Sequence, residues 1–294
     1  MPPTLSKLSE PNIEWIETQP PQVQAEFLLS AAINHDSGAT DWINKLVNGW
    51  HGKLRRSRKW RDLQNAALYS NDLRVRAAAI EINLAVNNLA KTDETADDLM
   101  RSAESNPGNR PWAAWELGML ANRGVEPERI HQLLVSYTHD PEQPTRFWAV
   151  AALAHMGTDE TIKDFLDVFR GDVSMEVRER AGCSLAKSGM LTRVQRMNAI
   201  PGLIDLGDDD SLNETTRNWV YQALREITNE LLPNRSAAWR SWYAKYGADR
   251  QRKFKPGESW MVLGNSQPID GSSDVLRVRP ERQDATVSTL LFPN

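Results

Sequence analysis

Between Leu63 and Gly247 the apolar residues fall three, four and seven apart, the spacing that gives a helix one buried stripe. The stripes also recur as a group. The fullest copy is V-R-E-R-A-G-C-S-L-A-K-S-G, in which Ala181, Leu185 and Gly189 stand three, seven and eleven residues after Arg178, and Ala149, Leu153 and Gly157 repeat it after Arg146. Arg110 keeps Ala113 and Leu117 but has Ala121 in place of the glycine. Arg217 keeps Val220 and Leu224, and Arg76 keeps Ala79 but has Asn83 where leucine stands elsewhere. The arginines are 34, 36, 32 and 39 residues apart, a period that belongs to stacked helical hairpins.

Helical geometry explains the offsets. At about 100° per residue, positions three, seven and ten after the arginine share one face, and a small residue on it allows close helix approach. The closing glycine suits the left-handed conformation that ends a helix, while Asp72, Ser174 and Asn213, four before their arginines, are N-cap types. A preceding helix is predicted for each unit from Leu99, Leu134, Leu166 and Ile204, which stand 11, 12, 12 and 13 residues before the arginine.

This pairing, with I-P-G-L-I at Ile200–Ile204 followed by the arginine phrase, resembles the HEAT repeat, especially the short bacterial HEAT-like repeats of the bilin-lyase type. A-L-R-E-I-T from Ala223 and A-W-R-S-W-Y from Ala238 look like the closing segment of such arrays. The resemblance implies an all-α, right-handed solenoid, with Trp239, Trp242 and Tyr243 packing in its terminal cap. Residues 1–62 read as an N-terminal helical cap, with apolar faces at Val23–Ile33 and at Trp42, Ile43, Leu46, Val47 and Trp50. Residues 63–247 read as the array. Residues 248–294, with Gly257, Gly264, Pro268, Gly271 and Pro280, read as an irregular tail that packs on the array or orders on a partner.

Net charge of −4 gives no general attraction to nucleic acid or to an anionic membrane. The single Cys183 excludes an internal disulfide and any all-cysteine metal site. No apolar run is long enough to span a bilayer, and the first residues lack the apolar core of a signal peptide, so the expected compartment is the cytoplasm. The five histidines, His35, His51, His131, His139 and His155, show no metal-ligand spacing, the run Asp208, Asp209, Asp210 and Glu214 lacks the spacing of a calcium loop, and no nucleophile or phosphate-loop motif occurs. Neither a metal, a cofactor nor a catalytic residue is expected.

Three sets of side chains remain as candidates. Trp112, Trp148 and Trp219 stand two residues after their arginines, with Arg180 in the same position of the fourth unit. At the border of the buried stripe, such a column is either packing between units or one wall of a groove. Trp115 is the aromatic expected to be most exposed. The basic cluster Lys53, Arg55, Arg56, Arg58, Lys59 and Arg61 reads as a solvated loop or a contact for an acidic partner. The arginines Arg76, Arg110, Arg146, Arg178 and Arg217 read as structural, each bonding a carbonyl or carboxylate of the adjacent unit. The resulting expectation is a non-catalytic scaffold that binds another protein or peptide on its concave face. The resemblance also implies two alternatives, a DNA-binding repair protein and a bilin-lyase-like auxiliary protein.

Overall fold

Helix follows helix along the whole described chain, and no strand interrupts them. A computed structural model describes residues 7–253, all within one unit, Met1–Trp260; the second unit, Met261–Asn294, lies outside the described residues.

The N-terminal block is built from α1 (Glu10–Thr18), α2 (Pro21–Ile33), α3 (Ala39–Leu46), a 3-10 turn at Val47–Trp50, α4 (Arg58–Leu68) and α5 (Leu73–Val86). Its helices start where the caps dictate. Ser57 Oγ accepts from Trp60 N at 3.0 Å, and the Asp72 carboxylate accepts from Arg74 N at 2.9 Å. Trp50 is fully buried, with its indole N–H donating to Gln24 Oε1 at 2.8 Å. Although α5 carries the first repeat arginine, it packs chiefly on α2, α3, α4 and the 3-10 turn.

From there the chain runs in hairpins. The pairs are α6 (Asp93–Ser105) with α7 (Arg110–Asn122), α8 (Pro127–Tyr137) with α9 (Gln143–Met156), and α10 (Glu160–Gly171) with α11 (Met175–Ala186). After the short α12 (Arg193–Asn198), α13 (Ile200–Gly207) pairs with α14 (Glu214–Thr228). Second helices also pack on one another, α7 on α9, α9 on α11 and α11 on α14, so the inner layer is continuous. The small residues permit this. An added Cβ at Gly118 of α7 would stand 2.7 Å from the Cα of Ala152 in α9, so only glycine fits that crossing.

Two of the three expected side-chain caps form. Asp72 and Asn213 cap their helices through the side chain, whereas Ser174 makes no such bond and its backbone N–H donates to the Asp172 carboxylate. Gly157, at φ 66°, closes α9 in the left-handed conformation, as the phrase requires. The last helix, α15 (Ser236–Lys253), closes the array on α13, with Trp239 fully buried and Trp242 stacked near it. That helix runs past residue 247, so the first residues of the expected irregular tail are helical; residues 254–294 lie outside the described residues.

Candidate functional site

Three of the five repeat arginines brace their own turn in the same way. In three units the guanidinium bonds the carbonyl six residues back: Arg76 to Ser70 O, Arg146 to Asp140 O at 3.0 Å, and Arg178 to Asp172 O. Arg146 and a fourth arginine, Arg110, reach the next unit. Arg110 Nη1 pairs with Asp140 Oδ2 at 2.6 Å, and Arg146 grips Asp172 through Nε at 2.8 Å and Nη2 at 3.2 Å. Asp140 and Asp172 hold equivalent positions in the turns inside the α8–α9 and α10–α11 hairpins, so each of these two turns receives the arginine of the unit before it. Arg217 makes no corresponding bond among the described residues.

One residue breaks the neighbour-only pattern. Arg76 of the first unit sends Nη2 to Lys187 O at 2.7 Å and Nη1 to Gly189 O, at the end of α11 in the fourth unit. Close by, Arg180 Nη1 of α11 donates to Tyr69 Oη at 3.1 Å. A simple stack joins each unit only to its neighbours; here the α4–α5 corner, Tyr69 to Arg76, also meets α11.

The aromatic column lies beside this closure. Trp115 packs edge-on against Trp148, with ring centroids 4.9 Å apart, and against His155 at 4.4 Å. Phe147 meets Trp148 at 5.4 Å, and the guanidinium of Arg180 lies 4.9 Å from the Phe147 ring centroid. Trp148 is only 5% exposed, while Trp112, Trp115 and Trp219 are half-buried. Trp115 is therefore not the most exposed aromatic, because its own neighbours in α9 cover much of its ring; Trp15, Tyr69 and Tyr246 are the exposed ones among the described residues. The structure brings Trp115, Trp148 and Arg180 together and places Phe147, His155 and Tyr69 with them.

Electrostatics at the site follow from burial. Burial pushes the His155 imidazole down to about 3, helped by the nearby charges of Arg180 and Arg76, so it is neutral at physiological pH. Burial also lowers Arg76 to about 10 and Arg196 to about 9, the latter repelled in addition by Arg76; both stay charged near neutrality. Arg196 bonds the carbonyls of Ser184, Leu185, Ser188 and Leu191, so two guanidinium groups neutralise the electronegative end of α11. Cys183 is half-buried and burial raises its thiol, which disfavours reactivity.

A second polar cluster joins α5 to α7. Asn83 Nδ2 donates to Glu116 Oε2 at 2.8 Å and Asn87 Nδ2 to Oε1 at 2.6 Å, while Gln64 donates to Asn83 Oδ1 and Arg56 Nε to Asn87 Oδ1 at 2.9 Å. Burial pushes the Glu116 carboxyl up to about 8, against the Asn83 bond and the Arg56 charge. Asn83, which takes the leucine position of the phrase, therefore faces a polar seam.

The basic cluster is divided by its partners. Lys59 pairs with Glu26 at 2.8 Å and Arg56 turns to Asn87, while Lys53, Arg55 and Arg58 are exposed and Arg61 is half-buried. No group of three or more metal-ligating side chains occurs among the described residues, and no described helix is long and apolar enough to cross a membrane. Reasoning from the repeat phrase missed Glu116, His155 and Arg196. For Arg196 a signal existed, since the 39-residue step to Arg217 is the longest and contains the extra helix α12. No protein-family model matches this chain, and no curated protein matches it.

Proposed function

We propose that the chain is a right-handed, HEAT-like α-solenoid that works as a non-catalytic adaptor, binding another protein or peptide through its inner face in the cytoplasm. One observation carries this reading: the braced position repeats while the position two residues on varies. Arg76, Arg146 and Arg178 make the same carbonyl bond, yet the next side chains toward the inner face are Ala78, Trp148 and Arg180, with Trp112 and Trp219 in the other units. The constant residues assemble the scaffold; of the variable ones Ala78 and Trp148 are buried, while Trp112, Arg180 and Trp219 stay partly exposed and differ from unit to unit. Trp112, Trp115 and Trp219 are half-buried, so they keep aromatic area available, and large aromatics beside an arginine are the side chains that most often anchor protein interfaces.

The test is affinity capture from the native cell with the wild-type chain and with Trp112→Ala/Trp219→Ala, each first checked for unchanged helicity by circular dichroism. The adaptor reading predicts that the variant loses specific partners that the wild type retains. Recovery of identical partner sets would end it. Retention of the wild type on DNA at low salt that is lost as salt is raised would favour the nucleic-acid alternative instead.

A further inference from the structure

The contact of the α4–α5 corner with α11 joins groups 111 and 113 residues apart, yet it rests on few side chains. Tyr69 is 50% exposed, and its single bond holds an arginine that pairs with no carboxylate among the described residues. Behind the corner, three polar atoms are buried without a partner: Arg180 Nε, His155 Nε2 and Ser188 Oγ. Ser188 lies between the two residues whose carbonyls Arg76 takes, and His155 feels the charges of both Arg76 and Arg180. These atoms make no bond to the chain while the corner is in place, and an open state would give them access to water.

The N-terminal block is also joined to the array in a way that permits lifting. Helix α5 packs mainly on its own block, and it meets α7 through Asn83, Asn87 and Glu116 and through Arg123 with Glu81 at 3.3 Å. Between α5 and α6 the chain passes through Asn88 at φ 54°, a left-handed position outside any helix. A polar seam plus a short linker is the construction of a hinge; a glycine-to-backbone crossing like Gly118 on Ala152 is not.

We propose that the α4–α5 corner is a latch: Tyr69 and Arg76 hold the N-terminal block against α11, and hinging at the α5–α7 seam frees Arg180 and the aromatic cluster that adjoins it, Phe147, Trp148 and Trp115. The consequence for binding rests on the adaptor reading. The hinge does not. In the closed state the chain occupies its own inner face, and a partner gains access by displacing the corner.

Double electron–electron resonance on the full chain tests the hinge, with spin labels on Asn48→Cys in the block and Val173→Cys, whose side chain is 89% exposed, in a Cys183→Ala background. The latch predicts one distance in the parent chain and a second, longer population when Tyr69→Phe is combined with Arg76→Met, which together remove the hydrogen bonds from the corner to α11 and its C-terminal end. Both substitutions keep side-chain volume, and Tyr69→Phe alone, at an exposed site, gives a smaller share of the longer distance should the pair lose helicity. A single unchanged distance in the folded variants would overturn the latch and leave the corner a fixed brace. If the longer distance appears but partner capture is the same for open and closed chains, the latch stands and the adaptor reading falls.

Discussion

Two seams join equivalent helices of successive units, α5 with α7 and α7 with α9, and they are made of different material. The second is backbone against backbone, Gly118 on Ala152, flanked by the Trp115–Trp148 contact and by Asn122 Nδ2 on Met156 O at 3.3 Å. In the first, Asn83 and Asn87 enclose the buried Glu116 carboxyl, with Glu81 shared by Lys91 and Arg123 at the rim. Close apolar contact in the one has a single well-packed solution, because interiors tolerate little displacement. Hydrogen bonds in the other can be exchanged for water at small net cost. On the latch proposal, the difference puts the stiff seam inside the array and the hinge at its junction with the N-terminal block.

The largest effect is expected at the tight seam. Gly118→Ala forces α7 away from α9 and should cost about 3 kcal/mol or more in urea unfolding, whereas Gly171→Ala, with open space around it, should change the midpoint little. An equal loss at both sites would break the contrast.

Glu116 sharpens the polar side. Its carboxyl is raised from 4.5 to about 8, so between those values the folded chain keeps a proton that the unfolded chain has released, and stability falls as pH rises through that window. His155 acts in the opposite sense: lowered from 6.5 to about 3, it stays neutral when the unfolded chain protonates, and stability is lost as pH falls from 6.5 toward 3. Glu116→Gln should remove much of the alkaline fall, a gain on the order of 2 kcal/mol at pH 8, read from melting temperatures between pH 5 and 9. An unchanged slope would show that Glu116 is not the group behind the fall.

The braces come next. Arg146→Lys keeps the charge but loses the two-point grip on Asp172, and a loss of about 1–2 kcal/mol is expected in chemical unfolding. Lys163→Ala, which removes a surface pair with Asp167 on α10, should leave the unfolding midpoint unchanged. Should the two behave alike, the arginines would be ordinary surface ions rather than fixtures of the stacking.

Much of the array was legible because its physics is local. A stripe, a small residue, a closing glycine and a recurring arginine each act within one hairpin, and the helices, the Gly157 cap and the terminal packing of Trp239 formed where those signals stood. The contacts that shape the candidate site are not local. Nothing in the spacing around Tyr69 or Arg76 announces a partner in α11, since curvature summed over several units decides it. Asn83 shows the limit most clearly. A polar residue in a leucine position reads as drift along the chain, and only the neighbouring helix reveals the carboxyl that it serves. The tryptophan column was visible as a column, but how much of each ring stays exposed depended on neighbours such as His155 and Phe147.

Hydrogen exchange measured peptide by peptide across the folded chain tests the contrast between the seams most directly. If the account is right, the amides of α2 to α5 exchange as a group, through openings of lower free energy than those that release α7 and α9, and Tyr69→Phe lowers the first value while leaving the second unchanged. If α5 and α9 exchange together at the global unfolding free energy, the two seams are equivalent and the junction is not a hinge.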